Sequence, residues 1–170
     1  MASEIELGGY APGALGAIVQ LHGAYYARHW GFGAYFEAKV AADLAAFLTR
    51  PETPDDRLWC ARREDRVVGA ITIDGSHGEM SGPPGETAAH LRWFIVAEAL
   101  QGRGLGRRLL AAALAFCRAR EFRSVYLWTF AGLDPARRLY EAQGFRLAEE
   151  VPAATWGTTV TEQRFVLDIR

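Results

Sequence analysis

Two short segments that are apolar at nearly every position constrain the fold of this chain more than any other feature. They span residues 91–96 (LRWFIV) and 125–130 (VYLWTF). A strand that is hydrophobic on both faces is typical of the centre of a sheet that is covered on both sides. The segment between them has an apolar stripe at helical spacing and predicts a helix over 105–120. Because a strand–helix–strand crossover joins parallel strands, we predict that the two segments run parallel in one sheet.

The rest of the chain predicts further elements around this unit. Apolar periodicity predicts three more helices, over 13–30, 32–48 and 136–143, the last with Asp134 as its N-cap and Pro135 in its first turn. Four shorter strands are predicted over 58–62, 67–73, 145–151 and 160–169. Residues 74–89 contain four glycines and two prolines and predict a long mobile loop. Together these elements predict a mixed sheet with helices packed on it.

Composition excludes several classes of protein. The chain has 170 residues, half of them hydrophobic, and a formal net charge of −1, which suits one globular domain and argues against a generally basic nucleic-acid surface. Its two cysteines, Cys60 and Cys117, form no C-x-x-C motif, so neither a disulfide scaffold nor a zinc site is expected. No apolar run approaches the roughly 20 residues of a membrane span, and the first residues lack the basic region of a signal peptide. We therefore expect a cytoplasmic protein that binds neither nucleic acid nor a membrane.

A glycine-rich loop joins the first apolar strand to the long helix. Successive main-chain amides at the start of a helix converge on an anion, and the helix dipole favours negative charge there. The loop therefore predicts a phosphate or pyrophosphate site. A Walker loop is excluded because Gly106 is followed by Arg107 and Arg108 rather than by Lys and Ser or Thr. A Rossmann fingerprint fails as well, because Leu109 stands where its third glycine would be. A strand-to-helix turn without a ligand remains the alternative.

Two motifs in this half of the chain resemble the GNAT superfamily of N-acetyltransferases. Residues 101–106 (QGRGLG) match the family pattern Q/R-x-x-G-x-G/A, and residues 136–145 (ARRLYEAQGF) match the pattern A-x-x-L-Y-x-x-x-G-F. The segments 127–129 (LWT) and 156–157 (WG) look closest to acetyltransferase domains fused to MarR-type regulators, here without the winged-helix part.

The resemblance implies a single domain over residues 1–170. Its fold class would be α/β, or α+β by some schemes, with a mixed, mostly antiparallel central sheet and helices on both faces. Residues 1–50 would form acceptor-side helices, and residues 57–170 the sheet core with the acetyl-CoA site.

The resemblance also implies where acetyl-CoA binds. The end of the first apolar strand would pair with the pantetheine arm, and a bulge and splay beside the second apolar strand would admit the thioester. The loop amides would bind the pyrophosphate. The cofactor-binding residues implied in this way are Phe94, Ile95, Val96, Gln101, Gly102, Arg103, Gly104, Leu105, Gly106 and Arg107. No metal is expected.

Tyr140 is the general acid that the resemblance implies, and the amide of Ile95 or Val96 is the implied oxyanion donor. Arg92 suggests a donor for a carboxylate of the acceptor or, equally, a partner in an internal ion pair. Glu37 is a candidate contact for the acceptor amine, although a solvated helix charge is the simpler interpretation. Trp128 is a candidate pocket residue that core packing would explain as well. The general base is not identifiable from the sequence.

We therefore predict an enzyme that transfers an acetyl group from acetyl-CoA to a primary amine of a small molecule or peptide by direct attack. The alternative is a non-catalytic module that binds acyl-CoA as a sensor. Either would be a monomer or a homodimer.

Overall fold

The structure, a computed structural model, describes residues 4–76 and 87–169. These residues form one seven-stranded sheet and four α-helices. The strands are β1 (Glu6–Gly8), β2 (Arg57–Arg63), β3 (Arg66–Asp74), β4 (Ala88–Val96), β5 (Ser124–Phe130), β6 (Arg146–Ala153) and β7 (Val160–Asp168). The helices are α1 (Ala14–Trp30), α2 (Ala34–Thr49), α3 (Leu105–Ala119) and α4 (Asp134–Ala142).

The sheet confirms the predicted class of mixed, mostly antiparallel fold. The strand order is β1-β2-β3-β4-β5-β7-β6, and β4 and β5 are its one parallel pair among the described strands. This pair contains the two apolar segments that the sequence places at the centre of the sheet. The crossover between them is α3, as predicted.

Helices cover both faces of the sheet because the strands are apolar on both faces. On one face α3 buries Leu109, Leu110 and Leu114 against a core that includes Val125 and Phe165. On the other face α1 and α2 pack on a second core, to which they contribute Ile18, Phe36, Val40 and Leu44. The buried thiol of Cys117 belongs to the α3 stripe, where burial raises its pKa to about 12, so it is an unreactive core residue.

Several predicted boundaries are wrong by a few residues. Helix α4 begins at Asp134 itself, so the N-cap is Leu133 rather than Asp134. Strand β1 was not predicted, because three half-exposed residues show no periodicity. The predicted loop 74–89 is too long, since β3 continues through Asp74 and β4 begins at Ala88. Residues 77–86 of that loop lie outside the described residues.

No helix in the described part of the chain is both long enough and apolar enough to cross a bilayer. Within residues 4–76 and 87–169, no cluster of three or more His, Cys, Asp or Glu side chains is placed to hold a metal ion.

Candidate active site

The two central strands separate where the sheet would otherwise continue. β4 and β5 pair only from Ala88 with Ser124 to His90 with Tyr126. Alternate backbone groups of β4 beyond His90 therefore face a gap rather than a neighbouring strand. The gap that the family resemblance implies between these strands is present.

A bulge in β4 lies beside this gap. Ala70 is opposite Ile95 and Thr72 is opposite Arg92, so one residue of β3 is opposed by both Trp93 and Phe94. Trp93 has a φ of 46°, which is the left-handed region that non-glycine residues seldom adopt. The bulge re-aims the strand at the point where its pairing with β5 has ended. It lies at Trp93 and Phe94, slightly before the Ile95 and Val96 amides that the resemblance favours as oxyanion donors.

A cavity of about 570 Å³ occupies the gap and extends beneath α1 and α2. Nine of the fourteen predicted site residues line it: Arg92, Phe94, Ile95, Val96, Gln101, Gly102, Gly106, Trp128 and Tyr140. The five that do not are Glu37, Arg103, Gly104, Leu105 and Arg107. The side chain of Leu105 is buried in the α3 core, whereas Arg103 and Arg107 are exposed beside the loop.

The start of α3 opens toward this cavity. The first helical hydrogen bond runs from the Arg108 amide to the Gly104 carbonyl over 3.0 Å, so the preceding amides from Gly104 to Arg107 have no partner within the helix. Gly102 and Gly104 have φ values of 73° and 84°. Added Cβ atoms at these two glycines would meet nothing within 4 Å, so glycine is required there for its conformation rather than for space. The amides, the dipole and the two exposed arginines fit the diphosphate of coenzyme A.

Gly106 has a different role from the other two glycines. A Cβ atom there would lie 3.5 Å from the ring of Phe94 and 3.4 Å from the side chain of Leu139. A side chain at position 106 would therefore make ordinary van der Waals contact with β4 and α4 and would narrow the cavity between them.

The turn before α3 is anchored at both of its ends. The side-chain amide of Gln101 donates to the Val96 carbonyl over 3.1 Å. Glu98 accepts hydrogen bonds from His29 at 2.5 Å and Arg28 at 2.7 Å, and these interactions lower the pKa of its carboxyl group. Glu98 thereby ties the loop to α1.

Tyr140 lies under the cavity in a cluster of aromatic rings. Its ring centroid is 6.1 Å from that of Phe94, 5.8 Å from that of Phe145 and 6.2 Å from that of Phe165. Burial raises the pKa of the phenol well above its usual value of about 10. Tyr140 therefore holds its proton throughout the neutral range.

Arg92 is engaged by two carboxylates of the protein. Its guanidinium lies 3.2 Å from Asp74, which is fully buried, and 3.8 Å from Asp43, and it stacks 4.1 Å from the centroid of Trp93. Asp74 also accepts from Arg50 at 2.8 Å. The structure thus favours the internal ion pair over the carboxylate-binding interpretation.

Glu37 is exposed, and its carboxylate rests against Gly23 of α1. Its predicted contact with an acceptor stays a prediction. Two other residues of α2, Lys39 and Asp43, line the cavity and form an ion pair with each other at 3.0 Å. Trp128 lines the cavity with 38% of its surface exposed, so it is not a core residue.

His22 of α1 also lines the cavity, and it is neutral at pH 7. Its Nδ1 atom lies 2.8 Å from the Ile18 carbonyl and donates to it in the tautomer protonated at Nδ1. Burial, only partly offset by that hydrogen bond, lowers the pKa of the imidazole to about 4.

Sequence reasoning missed Glu162 of β7, which lines the cavity and is 8% exposed. The signal was available, because Glu162 and Gln163 are adjacent in a strand and alternation must turn one of them toward a buried face. It also missed that Tyr26, Phe36, Phe130 and Trp156 form a common aromatic wall, since they come from four separate segments of the chain.

Comparison with known proteins agrees with this geometry. Residues 17–145 match the acetyltransferase (GNAT) family model, and the chain belongs to that family.

A mycothiol acetyltransferase of Acidothermus cellulolyticus is 28% identical over 176 residues, covering 96% of this chain and 49% of that protein. The chain therefore spans about half the length of this curated relative.

Two solved structures share the fold at low sequence identity. A GNAT-family acetyltransferase from Staphylococcus aureus Mu50 superimposes with a TM-score of 0.75 at 14% identity, covering 98% of this chain and 100% of that chain. The yncA protein of Salmonella typhimurium, whose structure contains acetyl-CoA, superimposes with a TM-score of 0.69 at 15% identity, covering 98% and 94% of the two chains.

Proposed function

We propose that this protein is an acetyl-CoA-dependent N-acetyltransferase whose acceptor is a primary amine of a small molecule or peptide. The observation that supports this most is the continuity of one cavity. It runs from Gly102 and Gly106 at the start of α3, past the bulge at Phe94, to Tyr140 and the aromatic wall. This continuity supports a diphosphate site, a thioester channel and an acceptor pocket that share one space.

The cofactor-binding residues proposed are those that the family motif implies. The amides from Gly104 to Arg107 would hold the diphosphate, and Arg103 and Arg107 would add positive charge beside it. The open edge of β4 over Phe94, Ile95 and Val96 would pair with the pantetheine arm. When bound, acetyl-CoA supplies an acetyl thioester, whose acetyl carbon passes to an amine nitrogen while the sulfur leaves and takes a proton.

The chain's own part in the chemistry is positioning and proton supply. Tyr140 is the proposed proton donor to the departing thiolate because its protonated phenol belongs to a residue that lines the cavity. Burial makes the phenol a weaker acid than a free tyrosine, so the proposal depends on the position of Tyr140 and not on enhanced acidity. An alkylamine with a pKa near 10 is uncharged only about once in a thousand molecules at pH 7, so the acceptor must lose a proton on the way. The division into acceptor-side residues 1–50 and a cofactor-binding core 57–170 is supported by the contribution of α1 and α2 to the cavity wall. Monomer or homodimer, and the likeness to MarR-fused domains, stay predictions.

The proposal is tested by two measurements on the same preparation. Calorimetry measures the heat of coenzyme A binding, and a thiol assay follows release of coenzyme A from acetyl-CoA with a panel of amines. Amine-dependent thiol release is the expected result. Tight binding without such release across the panel would favour the acyl-CoA sensor, and the absence of binding by a folded protein would contradict both.

A further inference from the structure

Glu162 lies on the acceptor side of the cavity beside an aromatic wall. It is directly opposite Phe130 on β5, so the two side chains project from the same face of the sheet. The ring of Phe130 contacts those of Tyr26 and Trp156, with centroids 5.8 Å and 6.3 Å away. Phe36 completes this wall, 5.4 Å from Trp156.

The carboxyl group of Glu162 is buried but incompletely satisfied. The residue is 8% exposed, and its Oε1 atom has no hydrogen-bond partner among the described residues. Its neighbour Gln163, in contrast, is buried and donates to Glu150 over 2.6 Å. Buried polar atoms in proteins nearly always have a partner, so an unpartnered carboxylate oxygen on a residue that lines the cavity points to a ligand.

The other charged side chains that line the cavity are already paired. Of the described residues that line the cavity, two carry carboxylates, and Asp43 is held by Lys39 at 3.0 Å and Arg92 at 3.8 Å. The lysine and arginine side chains that line the cavity, Lys39 and Arg92, are therefore both paired with carboxylates of the protein. Glu162 is therefore the charged side chain of the cavity lining with which a ligand can still pair. Because Glu162 is a carboxylate, the ligand group that would pair with it is a cation.

The aromatic wall is itself suited to a cation. The ammonium group of Lys39 already lies 5.3 Å from the ring centroid of Trp156, which shows that this ring accepts positive charge. A second ammonium group beside Glu162 would find both a carboxylate oxygen and aromatic faces within one pocket.

We propose that Glu162 binds the ammonium group of the acceptor, and that the acceptors are amines without a carboxylate next to the amino group. This inference rests on the proposed function and makes its acceptor class specific. An amino acid would bring its carboxylate close to the carboxylates of Glu162 and Asp43, which would repel it. Lys39 and Arg92 are already paired with acids of the protein and would not offset that repulsion.

The test compares amines with their carboxylated counterparts. Phenethylamine and histamine are measured against phenylalanine and histidine, with wild-type protein, Glu162→Gln and the control Glu149→Gln. Glu149 is an exposed residue of β6 that pairs with Arg164 and does not line the cavity. Circular dichroism and thermal melts establish that each variant is folded.

Two readouts keep the acceptor site separate from turnover. Thiol release yields kcat and KM, and calorimetry measures amine binding to protein loaded with coenzyme A, which needs no reaction. We expect wild type to favour the amine in each pair, and Glu162→Gln to weaken amine binding by about 10-fold to 100-fold, as for loss of a hydrogen bond to a charged group. The KM for acetyl-CoA and the behaviour of Glu149→Gln should not change.

Preference for the carboxylated member, or equal amine affinity in Glu162→Gln and wild type, would overturn this inference while leaving the proposed function intact. If no amine is acetylated yet Glu162-dependent binding persists, the proposed function fails and the cation site stands. If Glu162→Gln does not fold, Glu162→Asp is measured instead, and unchanged amine affinity in that shortened variant would contradict the inference.

Discussion

Tyr140 shows how the surroundings of a single residue decide its chemistry. As a free side chain its phenol would begin to ionise near pH 10. Enclosed by Phe94, Phe145 and Phe165, it keeps its proton well beyond that pH. Burial makes the phenol a weaker acid, so Tyr140 is a candidate proton donor because it lines the cavity and not because its acidity is enhanced.

We predict that Tyr140→Phe lowers kcat by about 100-fold, the usual scale for loss of a general acid, with little change in the KM for acetyl-CoA. The ring is retained, so packing and the melting temperature should stay close to wild type. Steady-state thiol release measures both constants. Tyr35→Phe is the matched control, because Tyr35 is 63% exposed and does not line the cavity. An unchanged kcat in folded Tyr140→Phe would remove the proposed role.

At the scale of elements, the site depends on two departures from regular structure. One is the bulge in β4 at Trp93 and Phe94, and the other is the left-handed pair Gly102 and Gly104 before α3. Each changes the direction of the chain, so that a strand edge and a helix start both face the cavity. The glycines could be identified from the sequence. The family resemblance implied a bulge, but its position could not be identified, since Trp93 has no local feature that requires a positive φ.

We predict that Gly104→Ala destabilises the protein by about 1–2 kcal/mol, because alanine is strained at a φ of 84°. It should also weaken coenzyme A binding by about tenfold, the loss of one hydrogen bond to a charged group as the loop amides turn away. Urea unfolding and calorimetry measure the two effects.

Gly16→Ala is the control for that substitution. Gly16 lies within α1, and a Cβ atom there would meet nothing within 4 Å. Alanine should stabilise this helix by about 0.5–1 kcal/mol and leave coenzyme A affinity unchanged. Equal effects of the two substitutions would contradict the assignment of the α3 turn to cofactor binding.

At the scale of the whole molecule, a chain of ion pairs joins elements from both halves of the sequence. Asp74 at the end of β3 accepts from Arg50 after α2 and from Arg92 of β4. Arg50 also pairs with Asp56 at 2.7 Å. Because Asp74 is fully buried, its two cations are its substitute for water. The network holds α2 against the central strands and thereby shapes the acceptor side of the cavity.

We predict that Asp74→Asn lowers the free energy of unfolding by about 3 kcal/mol, as expected when one partner of a buried ion pair is removed. Urea denaturation with an unchanged m-value measures the loss. Asp168→Asn is the comparison, since the pair of Asp168 with Arg146 is 60% and 64% exposed and should be worth less than about 1 kcal/mol. Similar losses in the two variants would show that the network contributes little to stability.

The sequence alone was sufficient for the local elements and for much of the cofactor side. Continuous apolar runs identified the central strands 91–96 and 125–130, and periodicity identified all four helices within about two residues. These signals are local, because each depends only on which residues of a single segment are apolar and therefore face the core. The loop at 101–106 could be interpreted for the same reason, since a phosphate cradle is built from consecutive amides.

The acceptor side was decided by the tertiary structure. Arg92, Asp74 and Asp43 lie on three elements, and only the sheet register and the packing of α2 bring them into contact. Glu37 and Asp43 are both acids on one helix, yet the rotation of α2 turns Asp43 into the cavity and leaves Glu37 exposed. Glu162 acquires its significance from the absence of a partner, which depends on every neighbour at once. Pairing and burial are sums over residues distant in the chain, so no local pattern contains them.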